Sequence, residues 1–519
     1  MGAEENSKEG SLSRRAALGL AAGATLSAAV PGAPRAARPA PLNGIVSLDA
    51  CALSGAIHGR KLSCVEVMTA YLDHISAVNP KVNAIVALQD RDALLAQARE
   101  RDGQLAQGQS KGPLHGFPHA VKDLQAVKGI VTTQGSPILK DFVPPADSLM
   151  VERLRNAGAL FIGKTNAPEF GLGSHTYNPV YGITRNAYDL SKSAGGSSGG
   201  AAVGLALRML PLADGSDYGG SLRNPSGWNN VLGFRTSIGR IPYDSRDPWL
   251  PTMSVTGPMA RNVTDLALLL SIQAGYDARV PLSLDGDGSA FRGRLDRSFK
   301  GARIAWVGDF KGHTPCEPKV LEVCRQATRR FESLGCVVEE AVPEFDYDAV
   351  WQAAIRLRAW QSGGPLLPFY EDPAKRALLK PEAVFEIETG RKLSAYDLTA
   401  ASAVRNDWTQ AVRRFFERYD FIIAPTAQLF PFNVEQHWPP EIAGRKMQTY
   451  HEWMKAVLLV TLSGSPALAV PAGFNEQGLP IGIQLIGPNR QEFSLLQLAY
   501  AYESTLGPEH RRLPPLLNG

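Results

Sequence analysis

The chain has 519 residues, enough for three or four average domains or for one large α/β domain. Its 54 basic and 50 acidic residues leave a formal net charge of +4, and the first 38 residues hold five of the bases (Lys8, Arg14, Arg15, Arg35, Arg38) against three acids (Glu4, Glu5, Glu9), so the remainder is close to neutral. Such a body, with no basic run, argues against nucleic acid as a partner, and 44% hydrophobic with 20% charged residues excludes a disordered chain.

Ser13-Arg14-Arg15-Ala16-Ala17-Leu18 opens an apolar, small-residue stretch from Ala16 to Val30, followed by Pro/Ala/Arg-rich sequence to about Pro41. Residues 1–41 read as a twin-arginine export signal and leader, which implies a periplasmic or secreted destination for the remainder, 42–519. The apolar stretch is shorter than the roughly 20 residues that span a bilayer, and no later stretch is long enough either.

From about residue 43, helical-period segments alternate with short β-branched runs, the pattern of an α/β chain. Helices are predicted over 63–78, 90–105, 198–209, 263–273, 318–334, 398–418, 450–462 and 492–504, and strands over 159–163, 303–307, 337–340, 421–424, 467–470 and 481–486. The Gly-, Asp-, Ser- and Arg-rich interval 277–300 is the most loop-like and is a candidate boundary between a catalytic half and a C-terminal half. Cys51, Cys64, Cys316, Cys324 and Cys336 show no C-x-x-C spacing and read mostly as buried thiols, with one disulfide open to them after export.

The most unusual stretch is 191–226, which holds Gly195-Gly196-Ser197-Ser198-Gly199-Gly200 and then the glycine- and serine-rich run 214–223. Glycines there permit close backbone approach, so that several N–H groups can aim at one point beside a hydroxyl, as an oxyanion hole requires. A flexible linker would not open straight onto the apolar segment 201–206. A phosphate loop needs Lys-Ser or Lys-Thr after its last glycine, and neither cluster has it. Residues 195–199 and 196–200 fit the G-x-S-x-G pattern of a nucleophile elbow, yet 188–194 is polar where a buried strand should stand. His313, His437, His451 and His510 sit in polar settings without a signature, and no metal-ligand spacing appears. Lys122 ends a short apolar run, where burial would disfavour its charged form and make it a base; a strand-end pairing with Asp123 is the other reading.

Together these residues resemble the amidase signature family. The resemblance is carried by 120–123, 163–171, 195–200, 217–223, 464–467 with Val470-Pro471, and 479–488, and spans about residues 45 to 510. It implies Ser221 as nucleophile, Ser197 as a bridging serine with a cis peptide, and Lys122 as base. It further implies an oxyanion hole from the backbone N–H groups of Tyr218, Gly219, Gly220 and Ser221, with Ser198, Asp217 and Arg223 in support. The fold expected is a single large mixed, mostly parallel sheet covered by helices on both faces. The reaction expected is hydrolysis of a small-molecule amide, anilide or carbamate to acid and amine through an acyl-enzyme, with no metal or organic cofactor; homodimers are frequent among similar enzymes. Carbamate or aryl-ester hydrolysis is the near alternative, and an amidotransferase subunit or an inactive binding protein the more distant ones. Tyr218, Ser216 and the segment 233–237 depart from the residues usual in the family. Tyr218 could wall an acyl pocket or point into the core, and Tyr177, Tyr181, Trp228, Trp249, Trp351 and Trp360 suggest an apolar site suited to aryl or alkyl amides.

Overall fold

All eight predicted helices are present in the computed structural model, which describes residues 44–518 apart from 246, 248 and 251. The expected leader, 1–41, lies outside the described residues. Local chemistry sets several helix starts. Ser63 and Glu66 form a capping box at Cys64–Val82, Asp90 caps Arg91–Ala106, and Asn262 caps Val263–Gln273. Gly464, left-handed at φ 73°, ends Lys455–Ser463.

Strands, numbered in chain order, are β1 (Ile85–Val86), β2 (Pro118–Lys122), β3 (Leu160–Thr165), β4 (Tyr177–Asn178), β5 (Gly182–Ile183), β6 (Ala213–Asp217), β7 (Leu232–Arg235), β8 (Val255–Ala260), β9 (Arg303–Trp306), β10 (Val337–Glu340), β11 (Phe421–Pro425), β12 (Glu441–Ile442), β13 (Arg445–Lys446), β14 (Ala467–Phe474) and β15 (Pro480–Ile486). Eight form one mixed sheet in the order β10-β9-β11-β15-β14-β7-β8-β6, and β1-β3-β2 form a small second sheet. The mixed sheet is as expected, but its parallel majority is not: only β10–β9 and β9–β11 pair parallel, and the other five pairings are antiparallel. Parallel neighbours need a long crossover. Helix Pro318–Ser333 supplies one between β9 and β10, whereas β14 and β15 are joined by a tight turn in which Gly478 N–H donates to the Asn475 carbonyl at 3.0 Å.

Strands β11 and β15 are buried at every position, which requires cover on both faces of the sheet. Helix Arg223–Trp228 lies on β14 and β15 so closely that a Cβ on Gly482 would stand 2.8 Å from the Gly227 Cα. The interval 277–300 separates nothing in the sheet, because β7 before it pairs with β14 after it. All five cysteines are free, four of them buried. Among the described residues, no helix is long and apolar enough to cross a membrane.

Candidate active site

Strand β2 runs parallel to β3, is buried throughout, and delivers Lys122 at its end. Strand β6 crosses beside it with Asp214 and Ser216, two residues apart and therefore on one face. The Lys122 N–H donates to Asp214 Oδ2 at 3.2 Å, and Asp214 Oδ1 lies 2.9 Å from His119 Nε2. The Lys122 side chain is thereby aimed at three hydroxyls: Nζ is 2.8 Å from Ser197 Oγ, 2.8 Å from Ser198 Oγ and 2.9 Å from Ser216 Oγ, with the Ser216 carbonyl at 3.3 Å. Burial lowers the Lys122 pKa to about 7 even though Asp214 and Asp217 oppose the shift. Near neutrality, then, much of this lysine is a free amine, which can donate two hydrogen bonds to the hydroxyls and accept one.

The alternative pairing of Lys122 with Asp123 is absent. Asp123 instead accepts from Thr133 Oγ1 at 2.6 Å and from the Thr133 N–H at 3.2 Å. A second buried lysine, Lys164, is also shifted down by burial, to about 8, but its Nζ bonds the Gln125 carbonyl and Thr132 Oγ1 and meets no serine.

Ser197 and Ser198 lie on the turn that opens the fully buried helix Gly199–Ala206. The Gly196–Ser197 peptide is cis, as the resemblance implied. Thr176 Oγ1 donates to the Gly195 carbonyl at 2.7 Å and Ser174 Oγ to the Gly196 carbonyl, so the turn is held from outside. The Ser198 N–H donates to the Ser221 carbonyl at 3.2 Å, which brings the 217–223 loop against the serine turn. Ser221 is 8% exposed and Ser197 2%. The Ser221 hydroxyl makes no hydrogen bond to another described residue and is the more exposed of the two.

Asp217 and Arg223 both lie fully buried and bind each other. Burial alone would raise the Asp217 pKa, but the Arg223 and Arg235 guanidiniums and the surrounding hydrogen bonds hold it well below the usual carboxylate range. Arg235 Nη1 donates to the Asp217 carbonyl at 2.6 Å, and Arg223 Nη1 to Gln484 Oε1 at 2.8 Å. One expectation is corrected here. The Gly220 N–H donates to Asp217 Oδ1 at 3.0 Å, and the Leu222 N–H to Oδ2 at 3.1 Å, so Gly220 braces the loop and does not point an N–H at the site. The N–H groups of Tyr218, Gly219 and Ser221 have no acceptor among the described residues.

No histidine completes a Ser-His-Asp arrangement. Among the described residues His451 bonds Glu386, His510 bonds Glu509, His313 stacks on Tyr347 and His437 on Tyr177. Of the aromatic residues expected around an apolar site, Trp228 is core and stacks on Trp453, Trp351 is buried, and Trp249 is 63% exposed. Tyr218 is half-buried, its hydroxyl 3.4 Å from Met253 Sδ and its ring 5.0 Å from the Arg358 guanidinium carbon. Residues that sequence reasoning did not place in the site are Asp214, Ser216, Arg235 and Gln484. Recognising β6 as a strand would have found the first two, since Asp214 and Ser216 share parity; Arg235 and Gln484 lie in the segments 233–237 and 479–488 already singled out, but nothing there tells what their side chains hold.

A family model described as Amidase matches residues 66–496. An acylamidase from Rhodococcus erythropolis is 34% identical over 461 residues, which cover 88% of this chain and 95% of that protein. A glutamyl-tRNA(Gln) amidotransferase subunit from Moorella thermoacetica is also 34% identical, over 494 residues covering 90% of this chain and 98% of that one. Among solved structures, a bacterial aryl acylamidase superposes with a TM-score of 0.84 at 28% identity, covering 91% of this chain and 99% of that chain. With the match running from the helix before β1 to the last long helix, and the lysine, the serine turn and the braced loop all inside it, this chain belongs to the amidase family.

Proposed function

We propose that the protein hydrolyses the carbon–nitrogen bond of small aryl or alkyl amides through an acyl-enzyme on Ser221. The observation that carries this reading is Lys122 Nζ within 2.8 Å of Ser197 Oγ, in a buried position that brings its pKa down to about 7. The neutral amine takes the proton of Ser197, which takes that of Ser221 as Ser221 Oγ attacks the amide carbonyl. The N–H groups of Tyr218, Gly219 and Ser221 receive the oxyanion, a kind of contact worth about 3 kcal/mol per donor. Ser197 then gives its proton to the departing amine and recovers one from the Lys122 ammonium. Water attacks the acyl carbonyl, yielding its proton through Ser197 to Lys122; the bond to Ser221 Oγ then breaks, the relay returns that proton to Ser221, and the carboxylic acid leaves. Ser198 and Ser216 hold Lys122 in place, and Asp217 with Arg223 keeps the loop in shape.

The same route serves a carbamate or an aryl ester, so the panel that tests the reading contains an anilide, a primary amide, a carbamate and an ester, with release of both products followed. Turnover by the wild type that is lost in Ser221→Ala and Lys122→Ala supports it; equal slow hydrolysis in wild type and Ser221→Ala would defeat it in favour of a binding role. The amidotransferase relatives are as similar in sequence as the acylamidase. The segment 13–30, read as a twin-arginine signal, favours a free-standing exported hydrolase over one component of a cytosolic assembly, and periplasmic recovery that disappears with Arg14→Lys and Arg15→Lys tests that part.

A further inference from the structure

Gly171 lies against the proposed proton relay: a Cβ built on it would stand 3.6 Å from Ser197 Oγ and 2.7 Å from the Leu124 side chain. The residue before it, Phe170, is one Cα step away, about 3.8 Å, and its backbone is left-handed at φ 51°, ψ 19°. A bulky residue persists in that conformation only where its surroundings over-determine it, and such positions gather at ligand clamps. Here the surroundings are explicit. The Phe170 N–H donates to the Gln134 carbonyl at 2.8 Å and the Gly171 N–H to the Pro168 carbonyl at 2.8 Å. The buried Glu169 carboxylate accepts from Ser136 Oγ at 2.7 Å and from the Lys380 N–H at 3.0 Å, and Lys380 Nζ returns to the Leu172 carbonyl at 2.7 Å. The helical stretch 364–390 is thus stitched to the turn on both sides of Phe170.

That stretch brings an apolar wall with it. Leu172, Leu366, Tyr370 and Ile387 belong to a hydrophobic cluster separate from the main core, and Phe170 and Phe369 pack on it. The two rings stack, centroids 5.9 Å apart and 24° between planes, and both are only half-buried. Of the charges beside the turn, the Glu169 carboxylate and the Lys380 ammonium are engaged in the anchoring bonds. Phe170, next to Gly171 in the chain, and Phe369 form a fixed, half-covered aromatic pair, which offers an aromatic ring both apolar area and a quadrupole to stack on or meet edge-on, and offers a small aliphatic group only part of that.

Resting on the amide-hydrolase reading, we propose that Phe170 and Phe369 form the specificity wall of the site and select amides that carry an aromatic ring. Neither ring moves a proton, so the effect falls on the choice of substrate. The test compares an aromatic and an aliphatic amide of equal carbon number in the wild type, Phe369→Ala, Phe369→Leu and Phe369→Tyr. The ratio of kcat/KM for the aromatic to that for the aliphatic amide is expected to fall about two- to tenfold in the leucine variant and at least as far in the alanine variant, and to stay near the wild-type value in the tyrosine variant. The leucine variant keeps apolar volume and serves as the measure should alanine unfold the stretch. An unchanged ratio, or equal losses on both amides, would overturn the wall while leaving the hydrolase standing; a wild type that turns over neither amide overturns both.

Discussion

Asp217 and Arg223, six residues apart, meet fork to fork, Nε on Oδ2 and Nη2 on Oδ1, each at 3.0 Å. The remaining guanidinium nitrogen reaches Gln484 Oε1 and the Val457 carbonyl, so one arginine ties the 217–223 loop both to β15 and to helix Lys455–Ser463. Removing half of a buried pair strands the other charge and costs about 3–5 kcal/mol. Arg223→Met is expected to lose that much unfolding free energy in urea. Arg223→Lys keeps the charge without the fork, and is expected to fold yet lose activity by at least about tenfold, because a one-point contact cannot hold both carboxylate oxygens in register. Wild-type turnover in the lysine variant would show that the loop does not need the fork.

Lys122 should set the acid limb of the pH profile. Its pKa is lowered to about 7, so the neutral base is present above that pH and is lost below it as the amine protonates. The logarithm of kcat/KM is therefore expected to fall with decreasing pH, approaching a unit slope below a midpoint near 7, in measurements between about pH 5 and 9. Lys122→Arg cannot deprotonate in this range and is expected to be inactive throughout. A profile flat down to about pH 5 would remove Lys122 from the role of base.

Ser216 offers a finer control on the same group. Its hydroxyl and carbonyl both accept from Lys122 Nζ, and acceptors of this kind favour the ammonium. Ser216→Ala removes one of them and is expected to move the acid limb to lower pH by up to about one unit, while Ser216→Thr keeps the hydroxyl and stays near wild type. A shift to higher pH in the alanine variant would mean that the hydroxyl instead donates to the free amine.

The parts of the molecule legible in the sequence are those whose signal is local. Helix Pro318–Ser333 carries its apolar positions on one side, and β10 is bounded by Gly335 and Pro343, so both are legible nearly to the residue. Strands β6 and β8 read Ala-Asp-Gly-Ser-Asp and Val-Thr-Gly-Pro-Met-Ala, poor strand sequences that become strands because they pair with each other. With β6 unrecognised, Asp214 and Ser216, the residues that aim Lys122, stay hidden. Lys122 and the 195–200 turn are legible locally as a candidate base and a candidate catalytic turn, whereas their assignment with Ser221 to one relay is legible only through the family pattern. Whether the Gly220 N–H turns toward the site or toward Asp217 depends on loop dihedrals that residue types do not encode.

Gly220 itself gives the sharpest structural test of the loop. Its φ is 100°, a conformation L side chains rarely adopt, and a Cβ there would stand 2.5 Å from Val457 Cγ2. Gly220→Ala therefore meets both backbone strain, on the order of 1–3 kcal/mol, and a clash with a β-branched side chain that has little freedom to turn away. The least costly relief is a shift of the loop, which carries the N–H groups of Gly219 and Ser221 away from the oxyanion position. Because each such donor is worth about 3 kcal/mol to the transition state and little to the bound amide, kcat is expected to fall about a hundredfold or more with KM nearly unchanged. Adding Val457→Ala opens the space that the new methyl needs, and should return part of kcat if the clash drives the shift. A double variant no better than Gly220→Ala would assign the loss to the backbone strain alone, and a single variant with wild-type kcat would mean that this loop does not hold the oxyanion.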